Sequence, residues 1–280
     1  YTLPMGSYLL LLRHPGCEEV RYPVSIGRQE SWDGIPPGGS DPQPIPLPPK
    51  GSLQENDCYV PPGWFMNGGD PRAINSLQRG KVWSDGFVIR QFPVTNSLYL
   101  SFLNQLVLDG REEEALLWAP REPGGPTGEL GAMIYGRSRK GRFYLQPDID
   151  GDLWDESWPV LKVNWLAARA YAAEISARTG LAWRLPYELE WEKASRGVDG
   201  RHFPWGDFMD PSWVCMRQSH FGRLLPGSVF HSAVDVSPFG VYGMGGNARD
   251  WTASVFQPNG PKVENGRVLP EQEGGTDQFY

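Results

Sequence analysis

Asp235 to Trp251 reads DVSPFGVYGMGGNARDW. Gly240, Gly243, Gly245 and Gly246, with Pro238, make a long helix or a clean strand unfavourable here. A globular chain keeps such a segment where its backbone turns tightly or approaches something closely. Carbonyls freed from ladders, together with Asp250, are the donors a hard cation uses. The rest of the chain reads as scaffolding for this segment.

Outward from the loop, the composition fits ordered loops better than long regular elements. The 280 residues include 34 Gly, 27 Pro and 12 Trp. This points to loops held by packed aromatics, and the Gly and Pro content stays short of the low-complexity range. A 40% hydrophobic share supports one large domain, or a domain with a small module. Net charge is −7, with no basic stripe, which argues against a nucleic-acid partner. The longest apolar run, Tyr8 to Leu12, is strand length, far below the roughly 18 residues of a membrane span. Cys17, Cys58 and Cys215 lie far apart and are odd in number, which argues against a disulfide framework and predicts a cytoplasmic, reducing location. The first residue is Tyr, and the chain reads as a piece of something longer.

Three regions are expected. Residues 1–34 alternate in short apolar runs around a His14-Pro15-Gly16 turn, a β-hairpin of a small sandwich-like module. Residues 35–56 form a Pro/Gly-rich, semi-rigid linker. Residues 57–280 form the main domain, with strands expected over Tyr59–Met66 and Lys81–Arg90. A helix follows Pro93-Val94, with Thr95 or Asn96 as its N-cap, and Glu112–Trp118 extends a helical hairpin. Arg121–Gly131 is a Gly/Pro loop. The clearest helix runs from Asn164, its cap, to Gly180 at C′, with Trp165, Ala168, Ala172 and Ile175 on one candidate face and Leu166, Ala170, Ala173 and Ala177 on the adjoining one. A short helix carries Glu188, Glu190 and Glu192 first and Lys193 and Arg196 last, and stops at Gly197. Asp148, Asp150 and Asp152 suggest a calcium loop, but Gly151 falls one place early for an EF-hand, so a solvated turn is the better reading. Little regular pattern follows Gly206. The fold class is α+β, with few helices, short strands and long ordered loops.

Five collinear motifs carry a resemblance. They are Phe92-Pro-Val-Thr-Asn96, Pro159-Val-Leu-Lys-Val-Asn-Trp165, Thr179 to Ala194 (TGLAWRLPYELEWEKA), Phe203-Pro-Trp-Gly-Asp207 and Asp235 to Trp251. Over roughly residues 57–255 the chain resembles the formylglycine-generating enzymes, the sulfatase-modifying-factor domain, a variant of the C-type lectin fold. Residues 1–34 resemble the small β module found between bacterial serine/threonine kinases and such domains. The resemblance implies that Trp183, Trp191, Phe203 and Trp205 are core ballast. It also marks Tyr187 as a departure, where the family places a Thr or Ser cap; losing that cap costs ~1 kcal/mol unless another acceptor replaces it.

In that family the glycine-rich loop binds calcium through an Asn, two carbonyls and a Glu. Those positions fall here on Gly243, Gly246, Ala248 and Asp250, so the resemblance implies a calcium site lacking one side-chain oxygen. The family's oxidases hold copper with two cysteines in a later segment, a soft pair suited to Cu(I). The resemblance puts that segment after Tyr280, so no catalytic residue is assigned and copper is expected only outside this chain. The related thiohistidine sulfoxide synthases use three histidines of a preceding helical domain, and His14, His202, His220 and His231 show no ligand spacing. Three functions follow. The first is a non-catalytic ligand- or protein-binding module of a larger, kinase-associated bacterial regulator. The second is a copper oxidase acting on peptide cysteine, and the third a hypervariable lectin-like display protein. A segment absent here, or a second chain, is expected to complete the domain.

Overall fold

The computed structural model describes residues 2–124, 131–220, 222 and 225–270. Part of the loop expected at Arg121–Gly131, and all of Gly274–Tyr280, lie outside them. Among the described residues the chain is α+β, with four helices and several short antiparallel pairings.

Strands β1 (Gly6–Leu12) and β2 (Val20–Ile26) form the expected hairpin, in register from Gly6 opposite Ile26 to Leu12 opposite Val20. Val20, Tyr22 and Val24 of β2 are buried. The hairpin is tied to the larger part of the chain. Ser7 Oγ donates to Asp199 Oδ2 at 2.6 Å, and Arg21 Nε donates to the Pro238 carbonyl at 2.8 Å.

Two expected strands are each two strands. Tyr59–Met66 divides into β3 (Asp57–Val60) and β4 (Gly63–Asn67), because Pro61 and Pro62 offer no N–H to a ladder. Lys81–Arg90 divides into β5 (Gly80–Ser84) and β6 (Phe87–Arg90) at Asp85-Gly86. A side chain at Gly86 would stand 2.9 Å from both Pro62 and the Tyr59 hydroxyl. The two broken strands then pair crosswise, β3 with β6 and β4 with β5, both antiparallel.

Helix α1 (Asn96–Leu108) is capped by Thr95, whose Oγ1 accepts from Leu98 N at 3.3 Å. Asn96 is the first helical residue, not the cap. It is buried, receives the Tyr135 hydroxyl at 2.6 Å and donates to the Asp155 carbonyl at 2.8 Å. Helix α2 (Glu112–Trp118) begins with three acids, which suit the positive end of its dipole. Short strands β7 (Tyr135–Arg137) and β8 (Phe143–Leu145) pair beside α1. The largest core cluster gathers Tyr99, Phe102, Leu103 and Leu106 of α1 with Ala115, Tyr135 and Phe143.

Helix α3 (Trp165–Thr179) has the caps read from the sequence. Asn164 Oδ1 accepts from Ala167 N at 2.8 Å, and Gly180 takes the left-handed conformation with φ 70°. The inward face takes from both candidate faces: Trp165 and Ala167 are buried and Ala170 and Tyr171 pack on the α1 cluster, whereas Leu166, Ala173 and Ala177 are exposed. Helix α4 (Glu188–Arg196) buries Leu189, Lys193 and Ala194. The aspartate loop is a braced turn: Asp148 Oδ1 accepts from the amides of Asp150 and Asp152, both at 2.9 Å.

The end of the chain is more regular than expected. Strands β9 (Val263–Glu264) and β10 (Arg267–Val268) make a hairpin through Asn265-Gly266, with φ 51° and 81°. Positive φ at both turn residues is the type I′ pattern that Asn-Gly favours. β10 also pairs in parallel with β5, giving a sheet ordered β4-β5-β10-β9.

Candidate functional site

The glycine-rich loop is built around one buried acid. Asp235, 2% exposed, accepts the Gly245 amide on both carboxylate oxygens, at 3.0 and 3.2 Å. Its backbone carbonyl receives Gly243 N at 3.1 Å. Burial pushes the Asp235 carboxyl up to about 6; the Gly245 amide opposes the shift and the Asp250 charge adds to it. Two glycines are obligatory by contact. A side chain at Gly245 would stand 2.7 Å from the Trp205 ring, and one at Gly246 would stand 2.6 Å from the Cys215 carbonyl. Asn247 locks the loop to the chain at Gly227: its amide nitrogen donates to Gly227 O at 2.8 Å, and its Oδ1 accepts from Gly227 N at 2.9 Å.

Beyond Arg249 the loop joins the two later helices. Trp191 Nε1 donates to Asp250 Oδ2 at 2.9 Å, and Trp251 Nε1 to the Val163 carbonyl at 3.0 Å. Trp165 Nε1 donates to the Thr252 carbonyl at 2.9 Å, and Ala253 N to the Pro186 carbonyl at 2.8 Å. Ser254 Oγ accepts from Glu188 N at 2.9 Å, while Glu190 Oε2 accepts from Tyr187 N at 2.8 Å. The cap that Tyr187 does not supply to α4 thus comes from a residue 66 positions later in the chain. Trp191 and Trp251 act here through their N–H groups as well as their bulk. The Phe203–Gly206 turn closes with reciprocal backbone bonds, and Trp205 stacks on Phe203 at 5.2 Å, as a packed turn would.

The loop brings Gly243, Gly246, Ala248 and Asp250 into one short segment, in which two of the oxygens have protein partners. The Gly246 carbonyl accepts from Ala248 N at 2.8 Å, and Asp250 holds Trp191. Among the described residues no group of three or more His, Cys, Asp or Glu is placed to hold a metal ion. The three cysteines do not fit a copper pair. Cys58 is buried in the cluster of Val60, Ala194, Phe239 and Val241, donates to the Gly240 carbonyl at 3.4 Å, and has its thiol pushed up to about 11 by burial. Cys215 lies beside His220 Nε2 at 3.3 Å, and burial raises its thiol too. Cys17 is at the hairpin tip.

A second feature was not read from the sequence. A cleft of about 580 Å³ opens between β2, the segment 30–38 and β4. Tyr22 and Trp32 meet edge to face at 5.5 Å on one wall, with Pro36 and Pro37 beside them. Trp64 forms the opposite wall; its Nε1 donates to the Ile35 carbonyl at 2.8 Å, and Lys81 Nζ lies 5.5 Å from its ring. Lys193 lies at the floor, 1% exposed, donating to the carbonyls of Pro61 at 2.7 Å and Gly63 at 3.2 Å. Burial pushes its amine down to about 7. One of the two carbonyls, that of Pro61, lies in the Pro61-Pro62 break between β3 and β4, outside both strands. The sequence signal was present in Pro61-Pro62 and in a lysine at an inward position of α4, but the partner of each lay over a hundred residues away.

Comparison with known proteins places these features in a family context. The model of the sulfatase-modifying factor enzyme 1-like domain matches residues 48–275. The chain is 31% identical over 233 residues to the inactive C-alpha-formylglycine-generating enzyme 2 of Mus musculus, covering 75% of this chain and 71% of that protein. It is 24% identical over 292 residues to the formylglycine-generating enzyme of Bos taurus, covering 89% and 70%. Three further relatives are spanned over only 42%, 60% and 55% of their length. Among solved structures, PvdO from Pseudomonas aeruginosa shares the fold with a TM-score of 0.53 at 20% identity, over 77% of each chain.

Proposed function

The chain belongs to the family of sulfatase-modifying factor enzyme 1-like domains, and from that premise we propose that it is a non-catalytic binding module of a larger bacterial regulatory protein, of the kind joined to serine/threonine kinases. The observation that carries this reading is the open cleft between β2, the segment 30–38 and β4. Aromatic rings alternating with prolines, plus a few polar groups, are the lining that extended, proline-rich peptides dock against. Trp32 stands 42% exposed on that wall, available to a ligand without rearrangement. The similarity to a mouse protein described as inactive supports the same direction. So do the placements of Cys58 and Cys215, whose thiols serve packing contacts inside the fold.

The reading is tested on the full-length protein in two ways. Titration with a panel of proline-rich peptides is expected to give a saturable change in tryptophan fluorescence that Trp32→Ala removes. In parallel, the protein is supplied with Cu(I), dioxygen and a cysteine-containing peptide, and the peptide is weighed by mass spectrometry. An unchanged peptide is expected; conversion of its cysteine to an aldehyde overturns the non-catalytic reading. For Gly243, Gly246, Ala248 and Asp250, a bound calcium ion would be structural in this module, and melting with the ion against a chelator tests it.

A further inference from the structure

The tip of the β1–β2 hairpin gathers chemistry that the binding cleft does not use. Arg13, His14, Pro15, Cys17, Glu19 and Lys50 surround a cavity of about 400 Å³. Cys17 Sγ lies 3.7 Å from His14 Nδ1, within contact range of a thiol and an imidazole. The turn that sets this distance is fixed on both sides. Cys17 N donates to the His14 carbonyl at 3.1 Å, and the flanking linker is stitched on by Glu18 N to Pro48 O at 2.8 Å and Lys50 N to Gly16 O at 2.9 Å. Gly16, at φ 82°, leaves open space beside the turn, with no atom within 4 Å of where a side chain would begin.

Two cations flank the thiol. Arg13 pairs with Glu19 and Lys50 with Glu18, but both basic side chains are more than 70% exposed, so these are surface pairs of small worth. A guanidinium carries five donors and an ammonium three, so both have donors left for an incoming anion.

We infer that Cys17 is a modification site, where a small, carboxylate-bearing disulfide docks against Arg13 and Lys50 and exchanges with the Cys17 thiol. His14 Nδ1 takes the thiol proton, and Sγ attacks one sulfur of the incoming disulfide. The S–S bond of the reagent breaks as the new one to Cys17 forms, and the departing thiolate collects the proton. One protein thiol and one disulfide become one mixed disulfide and one free thiol, and the reagent disulfide is itself the oxidant.

The other two thiols are internal controls. Cys58 is buried and donates to Gly240 O, and its thiol is pushed up to about 11. Cys215 also faces an imidazole, but it is packed against Gly227 and the Leu225 carbonyl, and burial raises its thiol. The thiolate is the reacting form, so both should lag.

The experiment is peptide mapping by mass spectrometry after brief exposure of the native full-length protein to oxidised glutathione, with a neutral hydroxyethyl disulfide in parallel. The expected result is a first adduct on Cys17, absent in Cys17→Ser, and formed faster with the anionic reagent. His14→Gln, a change at an exposed turn, should lower the rate at pH 7 at least roughly tenfold, as the loss of a positioned proton acceptor does, and alter its pH profile. Equal labelling of the three cysteines, or earlier labelling of Cys215, overturns the site. An unchanged rate and pH profile in His14→Gln overturns the role of the imidazole, and equal rates with the two reagents overturn the role of Arg13 and Lys50.

Discussion

Replacing Asp235 by Asn should change how stability depends on pH more than it changes the fold. Asp235 is buried, and its carboxyl sits at about 6 rather than the ordinary 3.8. The folded protein therefore holds the proton more tightly than the unfolded chain does. Below pH ~4 the group is protonated in both states and costs nothing. Between pH ~4 and ~6 the unfolded chain releases its proton first, so stability falls as pH rises. Above ~6 the full penalty applies. A separation of about two pH units corresponds to ~3 kcal/mol, since one unit is ~1.4 kcal/mol. Asn keeps an oxygen for the Gly245 amide but cannot ionise. The stability of Asp235→Asn relative to the parent should thus increase from pH 4 to pH 7 by up to ~3 kcal/mol, and the weaker neutral hydrogen bond of Asn, ~1 kcal/mol, is an offset that does not vary with pH. Urea unfolding followed by tryptophan fluorescence at pH 4, 5, 6, 7 and 8 measures it. Parallel pH profiles for the two proteins would refute the argument, because they would mean that Asp235 is hydrated in the folded state.

Three further outcomes are expected. Ser254→Ala removes the acceptor for Glu188 N and should cost ~1 kcal/mol, the worth of a helix cap, read as a lower melting temperature that Ser254→Thr largely restores. Asn247→Ala breaks both bonds to Gly227 and should cost ~2 kcal/mol at about one per hydrogen bond, with faster hydrogen exchange at the Gly227 amide as the specific sign. Asp250→Ala should lower the melting temperature by the loss of the Trp191 contact, and should abolish the gain in melting temperature that calcium gives the parent over chelator; equal melting of the parent with calcium and with chelator removes the calcium site.

Elements written in neighbouring residues were legible. Asn164 and Gly180 mark the ends of α3, and Gly197 ends α4, because a cap acts within one turn of the residue that supplies it. The two strands read as continuous were broken by signals also present in the sequence, Pro61-Pro62 and Asp85-Gly86. The hairpin through Asn265-Gly266 was likewise legible from its turn residues and was passed over. Among the described residues no helix is long and apolar enough to cross a membrane, in line with the short apolar runs of the sequence.

The sequence by itself determined the family, the α+β class and the glycine-rich loop, since five ordered motifs and local turn chemistry need no knowledge of distant contacts. Only the tertiary structure decided what that loop does. Asp235, given no role in the sequence, is the loop's buried centre; Asp250 looked like a cation ligand and receives Trp191; Ser254 carried no signal and caps a helix that begins at Glu188. The cleft has the same origin, with Tyr22, Trp32, Trp64 and Lys193 drawn together from distant parts of the chain. Caps and turns are set by bonds between neighbours, whereas burial and cross-chain acceptors are set by which surfaces meet when the chain collapses.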